Sequence, residues 1–137
     1  MPSSTSRISA LTCILVAAII AVVTLSCASV PTVIPDGLSP AELNQQAQDL
    51  YDRDQYEGAI RYYQAIKDRF PTDLGAQCGA DYEIAFIRYK QNRFEEATAG
   101  FRALLERYKT SDAVLLPAQF KVLGEKILSK IELRKTK

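Results

Sequence analysis

The strongest nucleophiles in the chain are the thiols of Cys13, Cys27 and Cys78, and none of the 137 residues is a histidine. Without an imidazole, neither a Cys–His nor a Ser–His pair can be assembled. The commonest metal ligand is missing as well. The cysteines fit no zinc or cluster spacing. Gly75 and Gly79 are isolated and form no phosphate-cradling loop. Glu95 and Glu96 are adjacent carboxylates on a stretch that reads as a solvated helix surface. With no catalytic constellation, the chain is expected to have no enzymatic activity, no metal and no cofactor. An enzyme without a recognisable motif ranks third, behind the two binding readings given below.

The chemistry that remains belongs to Cys27. Met1 to Arg7 is polar with one fixed charge, Arg7, and ISALTCILVAAIIAVV follows as a nearly unbroken apolar run from Ile8 to Val23. Small residues then lead to Cys27 through Thr24, Leu25 and Ser26. A positive start, an apolar middle and a small-residue end make an export signal. Its ending resembles the lipobox of bacterial lipoproteins, in which the thiol is acylated, the signal is cut before the cysteine and the new amino group is acylated too. Two departures stand out: Thr24 occupies the position usually taken by leucine, and Leu25 lies one place closer. Ala28 is not the aspartate that retains some lipoproteins at the inner membrane. The resemblance implies a signal peptide over 1–26, lipidation at Cys27 and several acyl chains, which hold a protein far more firmly than one. It places the protein at the periplasmic face of a bacterial envelope, at the outer membrane rather than the inner. The alternative is an uncleaved anchor, since 8–30 is long enough to span a bilayer. Cys13 lies inside this segment, and Cys78 is expected to be a buried small hydrophobe. Residues 27–38, with Pro31, Pro35 and Gly37, show no periodicity and read as a short extended tether.

The elements that would position any site come from a repeat. At an offset of 38 residues Ala47 matches Ala85, Tyr51 matches Tyr89, Tyr56 matches Phe94 and Ala59 matches Ala97. Tyr63 with Phe101, Ile66 with Leu104, Arg69 with Arg107 and Phe70 with Tyr108 continue the register without a gap. Such a period signifies stacked supersecondary units. In the first unit Ser39-Pro40-Ala41-Glu42 is a helix start with a capping box and proline in the first position. Leu43, Ala47, Leu50 and Tyr51 then share one face. Asp54 with Glu57 is expected to cap a second helix carrying Ile60, Tyr63, Ile66 and Phe70, which Pro71 ends. In the second unit the first helix carries Tyr82, Ala85, Phe86 and Tyr89. Asn92 with Glu95 is expected to cap its partner, which carries Phe101, Leu104, Leu105 and Tyr108. Beyond Asp112 one further helical pattern runs through Phe120, Leu123, Ile127, Leu128 and Ile131, with Pro117 in its first turn.

A small residue in the first helix, an aromatic after the turn, an alanine three further on and an aromatic four after that resemble the tetratricopeptide repeat. The helix ends Asp68-Arg69-Phe70-Pro71-Thr72 and Glu106-Arg107-Tyr108-Lys109-Thr110-Ser111 are similar to the form found in BamD-type and CpoB (YbgF)-type envelope proteins, although Lys109 stands where proline is usual. The resemblance implies an all-α solenoid over 39–137: repeat 1 over about 39–73, repeat 2 over about 74–111, and a capping helix over about 112–135. It also implies a ligand groove on the first helices, lined by Asn44, Gln48, Tyr51 and Asp52, then Tyr82, Phe86, Tyr89 and Lys90. For Tyr82, Phe86 and Tyr89 packing against neighbouring helices is an equal alternative. The lysine and asparagine clamp that chaperone-binding members use for acidic tails is absent. An aromatic, weakly charged groove suits an apolar or extended peptide better.

Net charge is +1, so no global field favours nucleic acid. The charge is divided, however. Asp36, Glu42, Asp49, Asp52, Asp54 and Glu57 make the early part acidic, and Lys121, Lys126, Lys130, Arg134, Lys135 and Lys137 make the end basic. This pattern fits solvated helix faces, or a dipolar module suited to head-to-tail contacts or an anionic surface. The reading that follows is a lipid-anchored scaffold with protein partners in the envelope, no nucleic acid, and a possible homo-oligomer. The alternative from another class is a small-molecule or lipid-binding component whose groove is closed by oligomerisation.

Overall fold

A computed structural model describes residues 33–135, and all the regular structure among them is helical. The helices are α1 (Pro40–Tyr51), α2 (Tyr56–Arg69), α3 (Leu74–Lys90), α4 (Phe94–Arg107) and α5 (Ala118–Lys135). A short 3-10 turn, Ser111–Leu115, precedes α5. The signal segment and Cys27 lie outside the described residues. No described helix is long and apolar enough to cross a membrane.

The chain forms two helical hairpins, α1–α2 and α3–α4, with α3 packed on α2 and α5 packed on α4 and α3. The 38-residue register holds at the level of single hydrogen bonds. Asp54 N–H donates to Tyr51 O at 2.9 Å, and Asn92 N–H to Tyr89 O at 3.0 Å. Gln55 N–H donates to Leu50 O and Arg93 N–H to Arg88 O, both at 2.9 Å. Asp54 and Asn92 share a left-handed backbone, with φ of 57° and 60°. Among residues with a Cβ, aspartate and asparagine tolerate this conformation best.

This geometry corrects the expected caps. The Ser39 box forms in full, with Glu42 N–H donating to Ser39 Oγ and Ser39 N–H to the Glu42 carboxylate. Asp54 and Asn92, however, cap nothing: α2 and α4 start from Gln55 and Arg93, without a side-chain cap bond. Both residues are spent instead on the tight reversal, and Asp54 accepts from the Tyr56 hydroxyl at 2.7 Å. Pro117 lies just before α5, and the first part of the expected capping helix is the 3-10 turn. The buried stripe of α5 is Gly124, Ile127 and Ile131, while Leu123 is 38% exposed at its edge. Glu96 is not simply solvated, since it accepts from Arg93 Nε at 2.6 Å.

The last residues of the tether are docked. Arg69, in the last turn of α2, donates to Pro35 O at 2.7 Å and Ile34 O at 3.1 Å. Ile34 and Leu38 pack on the first hairpin's core. Gln77, the buried polar residue of α3, donates to Lys67 O and Phe70 O and so completes the C-terminal end of α2. Cys78 is free and buried in the second core. Burial pushes its thiol up, as an inert structural cysteine requires.

Two apolar clusters result. Leu43, Ala47, Tyr63 and Ile66 centre the first, and Ala85, Phe101, Leu104 and Ile131 the second. Ala59 and Ala97 are both fully buried. A methyl built on Gly100 would sit 2.9 Å from Ala85 Cβ, so α3 and α4 touch nearly backbone to backbone. Ala97→Leu forces three more carbons into this seam and is expected to cost roughly 1–3 kcal/mol. Denaturant unfolding checks it, and an unchanged midpoint would mean that the seam gives way freely.

Candidate functional site

The eight groove residues expected from the sequence fall into three groups. Asn44, Asp52 and Lys90 are exposed, and Gln48, Tyr51, Phe86 and Tyr89 are half-buried. Tyr82 is 8% exposed and belongs to the core, its ring tilted against Phe101 at 5.7 Å and Phe120 at 5.6 Å. The approach of Phe120 depends on Gly79, where an added methyl would lie 3.3 Å from the ring tip. Gln48 is turned inward and donates to the Tyr63 hydroxyl on α2. Burial pushes that phenol up strongly.

α3 brings the aromatic members together. Tyr82 and Phe86 stack at 5.8 Å with an interplanar angle of 11°, and Phe86 and Tyr89 follow at 6.1 Å. Tyr51 and Tyr89, equivalent in the repeat, meet Tyr56 and Phe94 in the same tilted way, at 5.5 and 5.9 Å. At the far end Arg134 of α5 reaches back over Tyr89 and Phe94, with its guanidinium carbon 5.5 and 5.4 Å from the two centroids. Arg134 and Lys90 therefore make that end of the row basic, and with Tyr89 and Asn92 they line an open hollow.

The residue that sequence reasoning missed is Glu83. It follows Tyr82 in the sequence of α3, is half-buried, and lies within electrostatic reach of Tyr51, Tyr63 and Tyr82. Burial alone pushes its carboxyl up. A signal was present: Glu83 is the single charge in the run Tyr82-Glu83-Ile84-Ala85-Phe86-Ile87. Asp81 is partnered very differently. Its carboxylate takes Lys67 at 2.7 Å and Arg107 at 2.9 Å.

Glu83 makes stability depend on pH in a stated direction. A carboxyl whose folded pKa is raised binds more protons folded than unfolded over the window between the two values. Stability then falls as pH rises through that window, which begins in the ordinary glutamate range near 4.5 and extends upward. The neighbouring phenols titrate far above it. Glu57 acts oppositely. Its hydrogen bond from Arg88 holds its carboxyl low, so its contribution is lost only as pH falls through that depressed value. Melting temperature measured from about pH 5 to about pH 7 is expected to decline more in the native chain than in Glu83→Gln. Parallel curves would mean that Glu83 is solvated.

Of the other hollows, one between α4 and α5 has a volume of about 450 Å³ and is lined by Arg102, Leu105, Glu106, Tyr108, Lys109, Lys121 and Glu125. Tyr108 donates from its rim to Pro117 O at 2.7 Å, and burial raises its phenol to about 12. No group of potential metal ligands clusters among the described residues.

No family model matches the chain, and no solved structure matches it. It is 32% identical over 109 residues to an uncharacterized protein of Treponema pallidum (strain Nichols). That match covers 78% of this chain and 44% of the relative, so the chain spans less than half of the relative's length.

Proposed function

We propose that the protein is an exported, lipid-anchored scaffold of the tetratricopeptide type, which binds other proteins of a bacterial envelope along α1 and α3. The observation that carries the reading is that the second hairpin repeats the reversal of the first at 38 residues, in its hydrogen bonds and in its left-handed residue. A unit that repeats in this way buries its apolar faces by stacking and leaves its first helices to present a surface. On that surface the half-buried rings of Phe86 and Tyr89 supply the rigid aromatic area that protein recognition favours. Lipidation at Cys27 would set the domain on the periplasmic face of the membrane, the outer rather than the inner.

Two measurements test the proposal. Mass spectrometry of the native protein is expected to find residues 1–26 removed and acyl mass on Cys27; an intact, unlipidated N-terminus would leave only the anchor. Photo-crosslinkers at Tyr51 and Phe86 are expected to capture a discrete protein from envelope membranes, whereas one at Glu95 on α4 captures none. Equal capture from all three positions would remove α1 and α3 as the docking side.

A further inference from the structure

The turn that leads into α5 divides its apolar residues between two fates. Leu116 is buried in the second core, whereas Val114 and Leu115 are 87% and 67% exposed. The turn is held firmly. Ala113 N–H donates to Thr110 O and Leu116 N–H to Ala113 O, both at 3.2 Å, and the Tyr108 hydroxyl donates to Pro117 O at 2.7 Å. A lone exposed apolar residue is ordinary, but an adjacent pair held outward on a turn is a small adhesive tip.

The tip shares its edge of the molecule with the tether. Successive helices run antiparallel, so the ends of α2 and α4 lie beside the starts of α3 and α5. Contacts trace this edge from one side to the other. Arg69 donates to Pro35 O of the tether at 2.7 Å. Gln77 donates to Phe70 O at 3.1 Å across the connection from α2 to α3. A methyl built on Gly75 would lie 3.9 Å from Pro117 Cγ, just behind the tip. Of the six large apolar side chains that the described residues leave exposed, Val33, Val114 and Leu115 stand here. The opposite edge turns through Asp52-Arg53-Asp54-Gln55 and Gln91-Asn92-Arg93, which carry no apolar residue.

We infer that Val114 and Leu115, with Val33, insert into the lipid interface of the membrane that holds the N-terminus, and so stand the helices on end upon it. This deepens the lipid-anchored reading and rests on it. Only six residues separate Cys27 from Val33, a reach of at most about 20 Å. The anchor therefore brings this edge to the bilayer first. Three side chains fall far short of the roughly 800 Å² per partner that a stable dimer buries. They suffice on a membrane, because the anchor makes their insertion intramolecular, at an effective concentration on the order of millimolar. Charge has little part. Lys109 and Lys121 stand on either side of the tip in sequence, but Glu106 holds Lys109 at 2.6 Å and Asp112 lies in the turn itself. Lys130 and Lys135 lie far along α5, roughly 20–25 Å from its start. The surface shared by α1 and α3 then faces sideways, open to partners along the membrane plane.

The test uses the full-length protein in phosphatidylcholine vesicles, with and without added phosphatidylglycerol. Flotation first reports the anchor. Amine labelling read by mass spectrometry then compares the native chain with the double variant Val114→Ser, Leu115→Ser. Both positions are exposed, so this variant is expected to melt with the native chain. Labelling of Lys109 and Lys121 is expected to be about threefold or more slower in the native chain, as a mostly docked population requires. Lys90 and Lys130 are expected to react alike in both, and phosphatidylglycerol to change little. The chain has no tryptophan, so Leu115→Trp supplies a single reporter that brominated phosphatidylcholine quenches, whereas Asp52→Trp at the opposite edge stays bright. Equal labelling of the two chains, or quenching at neither or both positions, would overturn the inference. So would protection of Lys130 that appears only with phosphatidylglycerol, or protection that grows with protein concentration rather than with lipid. A chain that does not float removes the anchor reading together with this one. A chain that floats but shows no protection keeps the anchor and loses only the docked edge.

Discussion

A chain ending at Ser111 is expected to lose cooperative unfolding and to associate through its exposed second core. Among the described residues that core is covered by α5, together with Leu116 just before it. Ile127 and Ile131 are buried in it, Gly124 lies against Phe101, Leu104 and Leu105, and Phe120 closes over Tyr82 and Gly79. Removing them uncovers Phe101 and Leu104, both now fully buried, and the ring of Tyr82. Each large side chain returned to water forfeits roughly 1.5–3 kcal/mol. Several together approach the roughly 5–15 kcal/mol that holds a domain of this size folded. Contiguous apolar surface on this scale promotes association. Ultracentrifugation and thermal melts decide the matter. A monomeric fragment melting as sharply as the whole chain would make α5 peripheral, and the basic charge on its outer side would then need another explanation.

Phe101→Ala is expected to be the most damaging single substitution, at roughly 3–5 kcal/mol. Phe101 is fully buried and lies where α3, α4 and α5 converge, tilted against Tyr82 and facing Gly124. The cavity cannot collapse, because α3 and α4 are already in contact at Ala85 and Gly100. A cavity that cannot collapse keeps its full cost. Urea unfolding of the native chain and of Phe101→Ala measures the difference. A loss below about 1 kcal/mol would mean that the three-helix junction repacks.

The repeat, both hairpins and the covering helix were legible because they rest on apolar periodicity and on small residues at helix contacts. The errors fell where one residue pattern serves two geometries. Asp54 with Glu57 and Asn92 with Glu95 have the spacing of a capping box, but aspartate and asparagine are also the residues most at ease in a left-handed turn. Sequence spacing does not tell the two uses apart. Leu123 fits the helical period on paper, whereas Gly124 sits on the stripe and has no side chain to reveal it. Ile34 and Leu38 lacked any period because they belong to a strap held by Arg69 rather than to a helix. At the candidate site the aromatic row was visible, but Glu83 was not. Its surroundings include Tyr51 and Tyr63, which are distant in sequence and come within electrostatic reach of it only in the folded chain.

The ion pairs of α3 have a mechanical consequence. At its middle Asp81 ties Lys67 of α2 to Arg107 of α4. Near its end Arg88 joins Glu57 of α2 to Glu96 of α4. A rod pinned at two separated points on both flanks cannot ratchet by a helical turn of about 5.4 Å without breaking charge contacts at both points. Rocking about its own axis would strain them far less. The hairpins are thus coupled like leaves on a common spindle, free to open and close their shared side slightly but unable to slip in phase. Such a device would let the side shared by α1 and α3 widen or narrow while the spacing of residues along α3 stays constant.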